Sequence, residues 1–406
     1  MATNDRISPT SSFRVASCGV LVAALGFAAG CAATSSQVKP PSTARPIQME
    51  PMKIEVVRGE GGQRIEAFDA ATLFEQAGAD LNAEHWAAAA AGYDRLGKDF
   101  PGSRYAVAAL YNAGLALEGM KDFAGAAARY RKLVDEHGDT KDALDALFRL
   151  GGCQAEVGNW AASAETFARV LERKEISTGD RVEASARRGL AQYNMKDAVT
   201  AERTFRDALA WYRTHEAEER LDSDFFLAMC QYYMGEITHD RFRAAPLRLP
   251  EGQMKDDLEA KARLLLTAQA QYVDTARVRH PGWATAAGYQ MATLYEEMYR
   301  AIMDAPVPPK LSGEAREVYL EELRKTIEPL LRKAIHAHEL TQQVAERNGI
   351  DNEWVRKSSE QMERLRALVG APPAKVDEKQ PPAAKPAEGA PPAVPDPNDQ
   401  RSRTIL

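Results

Sequence analysis

The feature that most constrains this chain is a repeat with a period of about 37 residues between positions 66 and 215. Trp86, Phe123 and Trp160 open successive amphipathic segments at this spacing. Each has a small residue nine positions before it, a small residue three after it and an aromatic residue seven after it: Ala77, Ala89 and Tyr93, then Gly114, Ala126 and Tyr130, then Gly151, Ser163 and Phe167, with a looser fourth copy at Gly189, Ala201 and Phe205. Such a period is typical of helical repeat arrays.

The pattern of small and aromatic residues resembles the tetratricopeptide repeat (TPR) family. The resemblance implies an all-α fold, a right-handed α-solenoid of TPR-like helix hairpins whose small residues let the paired helices approach closely. Two departures from the family are visible. The period exceeds the family's usual length of about 34 residues by roughly three, and a closing proline is clear only at Pro101 and Pro281.

Paired helices are predicted throughout this region. First helices are expected near 66–82, 104–119, 140–157 and 180–195, and second helices near 84–99, 122–137, 159–174 and 198–215. A fifth first helix at 222–237 precedes a predicted inserted loop, 238–250, which contains two prolines. The loop is followed by a helix at 251–279 and by a further unit that starts at Trp283. After these come a loop at 305–309, a helix at 313–348 kinked at Pro329, and a capping helix to about 369.

Five regions are therefore predicted along the chain. They are a lipoprotein signal peptide at 1–31, a flexible tether at 32–64, four repeats at 65–216, longer degenerate repeats with a capping helix at 217–370, and a disordered Pro/Ala-rich tail at 371–406. Residues 52–57 alternate weakly and can form a strand, but the composition around them favours the tether.

The N-terminus predicts export and lipid attachment. Arg6 and Arg14 precede an uncharged apolar run, Val15–Phe27, whose length is typical of the core of a signal peptide. Ala28-Ala29-Gly30-Cys31 resembles a lipobox, which implies that Cys31 carries acyl chains such as palmitate. Ala32 follows in place of an acidic residue, and by resemblance this favours the outer membrane, facing the periplasm. The alternatives are a secretory signal with a chance cysteine and a cytoplasmic chain with an apolar start.

Catalytic and cofactor chemistry is not indicated. No HExxH, CxxC, GxSxG or phosphate-binding glycine motif occurs, and His336 and His338 point apart on a helix. We therefore predict no enzyme activity, no cofactor and no metal. The net charge of −6 with interspersed signs predicts no nucleic-acid binding. Cys153 and Cys230 are predicted to be free, buried thiols, because two repeat lengths separate them.

A stripe of aromatic residues is the candidate partner-binding groove. Phe74, Tyr111, Phe148 and Phe225 recur at the fifth position of first helices, while Tyr193 and Tyr232, with Tyr233 beside it, recur at the twelfth. In the family these positions line a concave groove that holds a peptide or helix. Glu118, Asp145 and Glu156 would make its rim acidic. The alternative is that the rings are core, wedged between helices.

The combined pattern predicts a lipid-anchored scaffold that binds other envelope proteins. Its plan resembles repeat-bearing lipoproteins of the gliding-motility complex in its Ala-rich composition and long C-terminal repeats. The repeat lipoprotein of the β-barrel assembly machinery is the alternative, although that family is shorter. A cell-wall enzyme activator and a cytoplasmic co-chaperone are the other classes considered.

Overall fold

The computed structural model describes residues 51–59, 62–174 and 176–370. Within these ranges the chain forms one antiparallel β-hairpin and thirteen α-helices. The elements are β1 (Met52–Gly59), β2 (Gly62–Asp69), α1 (Ala70–Asn82), α2 (Trp86–Asp99), α3 (Ala106–Gly119), α4 (Phe123–Glu136), α5 (Asp142–Glu156), α6 (Trp160–Leu171), α7 (Thr178–Asn194), α8 (Ala198–His215), α9 (Phe225–Ala244), α10 (Glu251–Arg277), α11 (Pro281–Met303), α12 (Glu314–Asn348) and α13 (Glu353–Gly370). The predicted signal peptide with Cys31 and the predicted tail lie outside the described residues.

The helices pair as the repeat predicts, which confirms the all-α array of helix hairpins. Odd-numbered helices from α1 to α9 are the first helices of their units, and the even-numbered helices that follow are the second. Each second helix from α2 to α8 packs against the first helix before it and the first helix after it. First helices of neighbouring units also touch, α3 with α5 and α7 with α9. The helix α13 packs on α11 and α12 and closes the described array.

Glycines at the small positions of the repeat allow this pairing. An added Cβ atom at these glycines would lie within 2.7 Å of a carbon in the aromatic ring of the paired second helix. The pairs are Gly114 with Tyr130, Gly151 with Phe167, Gly189 with Phe205, and Gly235 with Tyr272. Since real Cβ contacts need far more room, the ring occupies the space that a side chain would take. The small and aromatic positions of the repeat thus form one packing unit.

The turn inside each hairpin also repeats. The backbone has a positive φ angle at Glu84, Lys121, Gly158 and Lys196, which occupy the same place in four successive units. The next residue caps the second helix in three of them, where a side chain of Asp122, Asn159 or Asp197 accepts a hydrogen bond from a backbone N–H three residues on.

The core falls into two hydrophobic clusters that meet within α7. The first extends from Phe68 to Ala184, and the second from Ala186 to Leu365. Cys153 and Cys230 are free and buried, one in each cluster, which confirms the prediction for both thiols. Burial raises their pKa, so both remain neutral and act as small apolar residues.

A chain of polar side chains crosses the second cluster between α9, α10 and α11. Tyr272 donates its hydroxyl to Glu236 Oε1 at 2.6 Å. The two ring nitrogens of His239 lie 3.0 Å from the Tyr272 hydroxyl and 3.0 Å from Glu297 Oε2. Arg243 Nε donates to the same Glu297 carboxylate at 3.1 Å. Burial raises the pKa of Glu236. Burial also acts to raise the pKa of Glu297, but the hydrogen bonds and charge from His239 and Arg243 together outweigh it and lower this pKa.

The predicted tether up to residue 64 is wrong over 52–59 and 62–64, because these residues form the β-hairpin. Met52 pairs with Asp69 and Gly59 with Gly62. One side of the hairpin is fixed to α2 by two ion pairs, Lys53 Nζ to Asp99 Oδ1 at 2.5 Å and Arg95 to Glu55 at 2.7 Å. The helix α1 therefore begins at residue 70 instead of 66, with Asp69 as its cap.

The predicted inserted loop at 238–250 is also wrong over its first half. The helix α9 continues to Ala244 because Thr238, His239 and Phe242 are buried against neighbouring helices. The loop is reduced to 245–250, and it contains both prolines, Pro246 and Pro250. The predicted long helix after the second loop is confirmed as α12, which contains Pro329 in its interior.

A glycine-to-alanine pair tests the close approach within one helix. Gly151→Ala should destabilise the protein by about 1 to 3 kcal/mol, because the new methyl group overlaps the buried ring of Phe167. Gly152→Ala is the matched control, since a Cβ atom there meets nothing within 4 Å. It should stabilise the helix by about 0.5 to 1 kcal/mol. Urea unfolding measures both, and equal effects at the two positions would contradict the packing described.

The contact between α12 and α13 should weaken in acid. His338 is fully buried, its Nδ1 lies 2.8 Å from Ser358 Oγ, and burial lowers its pKa from 6.5 to about 4. Below pH 6.5 the unfolded chain therefore binds a proton that the folded chain excludes. Folding stability falls as the pH drops from 6.5 to 4, by on the order of 3 kcal/mol in total.

Urea unfolding across this pH range, compared with His338→Asn, isolates the histidine. Asparagine can keep a hydrogen bond to Ser358 but does not titrate. The difference in unfolding free energy between the two proteins should change steadily between pH 6.5 and 4. A constant difference would show that the burial of His338 has no protonation cost.

Candidate interaction surfaces

Six of the seven predicted groove residues are in the core. Their residue exposures range from 0% to 9%. They are Phe74, Tyr111, Phe148, Phe225, Tyr232 and Tyr233. A partner cannot contact these rings in this structure. For these six residues the prediction of an open groove is wrong, and the alternative, that the rings belong to the core, is correct.

In the first three units, the stripe residue is buried against a ring partner within the same unit. The stripe residue of the first helix in these units meets the aromatic residue of the second helix, with ring centroids 5.6 Å apart for Phe74 and Tyr93 and 5.5 Å apart for Tyr111 and Tyr130. Phe148 and Phe167 in the third unit are 6.0 Å apart. Aromatic pairs at such distances are favourable, and they place the stripe between the helices.

Tyr193 is the one predicted groove residue that is partly exposed. Its hydroxyl donates a hydrogen bond to Asp240 Oδ2 at 2.7 Å, and its ring centroid lies 5.3 Å from that of Tyr233. Burial of most of the ring raises the pKa of the hydroxyl, so it stays protonated and acts as a donor at neutral pH. The side chain is thus held in place at the edge of the core.

Two rows of partly exposed residues lie beside the buried stripe on the first helices. One row is three residues after the other in each helix, so both are on the same side. We call this surface the first-helix face; it consists of Leu115, Gly152 and Leu190 in one row and Glu118, Ala155 and Tyr193 in the other. Because the rows recur in α3, α5 and α7, the face continues across three consecutive units.

The middle of the first-helix face carries its smallest side chains, Gly152 and Ala155, and we call this part the depression. Gly152 occupies the position that Leu115 and Leu190 hold in the neighbouring units. Ala155 occupies the position that Glu118 and Tyr193 hold there. A Cβ atom added at Gly152 meets nothing within 4 Å, which shows that this position opens onto unoccupied space. Sequence reasoning missed Gly152, although it stands directly after the pattern glycine and therefore about 100° around the helix from it.

The rim of this depression is less acidic than predicted. Glu118 accepts a hydrogen bond from Tyr130 at 2.6 Å and pairs with Arg149 of the next first helix at 3.0 Å. Its charge is therefore compensated by a neighbouring unit. Asp145 is partly buried, and Glu156 alone of the three predicted rim residues is fully exposed.

A second surface is the outward side of the β-hairpin, which we call the hairpin face. It consists of the exposed residues Met52, Ile54, Val56, Ile65 and Ala67. The four large side chains are 60% to 74% exposed. Register explains why they share a face: Ile54 is paired with Ala67, and Val56 with Ile65. The polar residues Lys53 and Glu55 point instead to α2, so the usual orientation of an amphipathic hairpin is inverted.

Chemical sites are not evident in the part of the chain that the structure covers. Among the described residues, no group of three or more His, Cys, Asp or Glu side chains is placed to hold a metal ion. None of the described helices combines the length and apolar character needed to cross a bilayer. A cavity of about 340 Å³ between α11, α12 and α13 is lined by Tyr299, Leu331 and Leu368, and its Arg300 and Arg364 both pair with Glu296.

Comparison with known proteins agrees with the repeat. Residues 108–140 and 145–173 match the tetratricopeptide repeat family model, and these ranges cover α3–α4 and α5–α6. No curated protein matches the chain.

Several solved structures are similar to this chain at low sequence identity. A tetratricopeptide repeat protein from Parabacteroides merdae is 13% identical, covering 73% of this chain and 98% of its own, with a TM-score of 0.34. A TPR repeats protein from Bacteroides fragilis is 13% identical, covering 64% and 97%, with a TM-score of 0.29. The C-terminal part of a TPR repeat-containing protein from Cytophaga hutchinsonii is 12% identical, covering 72% and 95%, with a TM-score of 0.38. The family-model match at 108–140 and 145–173 shows that the chain carries tetratricopeptide repeats within its α-helical array.

Proposed function

We propose that this protein is a lipid-anchored scaffold of the bacterial envelope that faces the periplasm and binds other envelope proteins on its first-helix face. The observation that carries the scaffold role is the continuity of that face across α3, α5 and α7, with an open depression at Gly152. Repeats of this kind suit protein–protein contact because neighbouring units present equivalent positions along an extended surface.

The face is suited to an apolar or amphipathic segment of a partner. Leu115 and Leu190 flank the depression, and the paired charges of Glu118 and Arg149 need no counter-ion from a ligand. Tyr193 adds a fixed, partly exposed ring at one end. Side chains of this kind bind through packing, with tyrosine among the residues that contribute most at interfaces.

The envelope address is supported by the sequence at the N-terminus. The features of a lipoprotein signal follow one another here in the expected order. A positively charged segment comes first, then the apolar run Val15–Phe27, and then Ala28-Ala29-Gly30-Cys31. Among envelope processes we propose gliding motility, on the resemblance of plan. The long helices α10 and α12, of 27 and 35 residues, agree with the extended C-terminal repeats of that plan.

Site-specific photo-crosslinking in the producing cell tests the binding surface. A photoreactive amino acid replaces Gly152, and in a separate strain Gly97 of α2, which is the control because a Cβ atom there also meets nothing within 4 Å. We expect a discrete adduct with another envelope protein from position 152 and none from position 97. Adducts of equal yield at both positions would show that the first-helix face is not the binding site.

A blocking substitution gives an independent measurement. Gly152→Gln fills the depression with an uncharged side chain that favours the helix, so folding should be retained. Adduct formation from a second photoreactive group, placed at Ala155, should fall at least tenfold in this variant and should be unaffected by Gly97→Gln. Unchanged adduct formation would contradict the proposed role of the depression.

Labelling with radioactive palmitate tests the anchor. The wild-type protein should incorporate the label and sediment with membranes, while Cys31→Ala should do neither, because Cys31 is the proposed acylated residue. Incorporation that persists in Cys31→Ala, or no incorporation in the wild type, would show that the lipoprotein assignment is wrong.

A further inference from the structure

The hairpin face is an apolar surface that the described fold leaves open. Its four large aliphatic side chains are among the most exposed large apolar residues of the described chain, with Ile65 at 74% and Ile54 at 69%. Scattered exposed aliphatic residues need no explanation. Here, however, they are adjacent on one side of a two-stranded sheet, as the pairs Ile54 with Ala67 and Val56 with Ile65 show.

The orientation of this face is fixed by the opposite side of the hairpin. Lys53 and Glu55 form ion pairs with Asp99 and Arg95 of α2. Phe68 packs edge-on against Phe100 at 6.1 Å, and the guanidinium of Arg95 lies 4.0 Å above the Phe68 ring. These contacts hold the polar side against the array, so the apolar side cannot turn inward without losing both ion pairs.

We propose that the hairpin face contacts the acyl-chain boundary of the membrane that carries the lipid anchor. This inference rests on the proposed acylation of Cys31. The hairpin is the first described element after that cysteine, and 20 residues separate Cys31 from Met52. Even fully extended, a chain of this length spans at most about 75 Å, so the hairpin is the described element that the anchor holds closest to the bilayer along the sequence.

The composition of the face favours lipid over protein as the occupant. A stable protein interface uses about 20 to 30 residues on each side and is centred on residues such as Trp, Tyr and Arg. The hairpin face has five described residues, all aliphatic or methionine, and no aromatic or arginine among them. Contact with acyl chains requires only apolar area and no complementary shape, and a weak contact suffices where an anchor already restrains the protein at the surface.

Depth measurement by fluorescence quenching tests the contact. The full-length protein, purified from membranes in its lipidated form, is reconstituted into phosphatidylethanolamine and phosphatidylglycerol vesicles with brominated acyl chains. An environment-sensitive dye is attached to Ile54→Cys. The control is Val199→Cys on α8, where the wild-type residue is 73% exposed and therefore as open as the hairpin positions. The native thiols Cys153 and Cys230 are buried and do not compete for the dye.

Brominated lipid should quench the dye at position 54 at least twofold and leave the dye at position 199 unchanged. Placing the dye at Ile65→Cys together with Ile54→Glu and Val56→Glu should abolish the quenching at 65, because two carboxylates cannot enter the acyl-chain region. Quenching at 65 that survives both charges would overturn the role of this face.

Two further outcomes would also overturn the inference, and flotation separates them from failure of the anchor. If the protein floats with the vesicles but the dye at 54 remains as open to aqueous iodide as the dye at 199, the anchor holds and the hairpin does not touch lipid. If iodide is excluded at 54 without quenching by brominated lipid, a protein covers the face, either a second copy or a partner. If the protein does not float, the anchor at Cys31 fails and the inference fails with it.

Discussion

The described fold depends on one contact, the insertion of an aromatic ring from the second helix over a glycine of its own first helix, which recurs in four successive hairpins from α3–α4 to α9–α10. Gly114, Gly151 and Gly189 have no room for a Cβ atom because Tyr130, Phe167 and Phe205 occupy that space. The contact sets the distance between paired helices, and that distance in turn decides where the stripe residue of the first helix packs. The buried stripe and the exposed rows beside it are both consequences of this close approach.

This contact is local in sequence, which is why the fold was predictable. In the first four units the glycine or alanine and its ring are 16 residues apart, within one hairpin, and the period alone reveals them. The burial of the aromatic stripe was harder to predict from the sequence. Phe148 belongs to the core because Phe167 lies 6.0 Å away across the hairpin, and a family position that commonly lines a groove does not reveal how far the neighbouring ring extends.

The hairpin was missed for a related reason. Its first strand is fixed by ion pairs of Glu55 with Arg95 and of Lys53 with Asp99, which lie 40 and 46 residues away in the sequence, and its apolar residues face outward, contrary to the usual pattern of a strand. The extension of α9 was missed because two prolines marked a loop whose preceding residues, His239 and Phe242, are buried by contacts with later helices. In each case, distant contacts decided the structure and local composition predicted the opposite. The position of Gly152 beside the buried stripe could be predicted from the sequence, since helical geometry places this residue about 100° around the helix from Gly151.

The division of the core within α7 has a consequence for the occupied protein. Leu115 packs against the first hydrophobic cluster, and Leu190 and Tyr193 pack against the second. In an array whose units contact only their neighbours, two clusters of this kind can open by separate local equilibria. A ligand that contacts both sides of the division gains its full binding free energy only when both are folded. Occupancy of the first-helix face would thus couple the opening of one cluster to the opening of the other, although the two clusters share no residue.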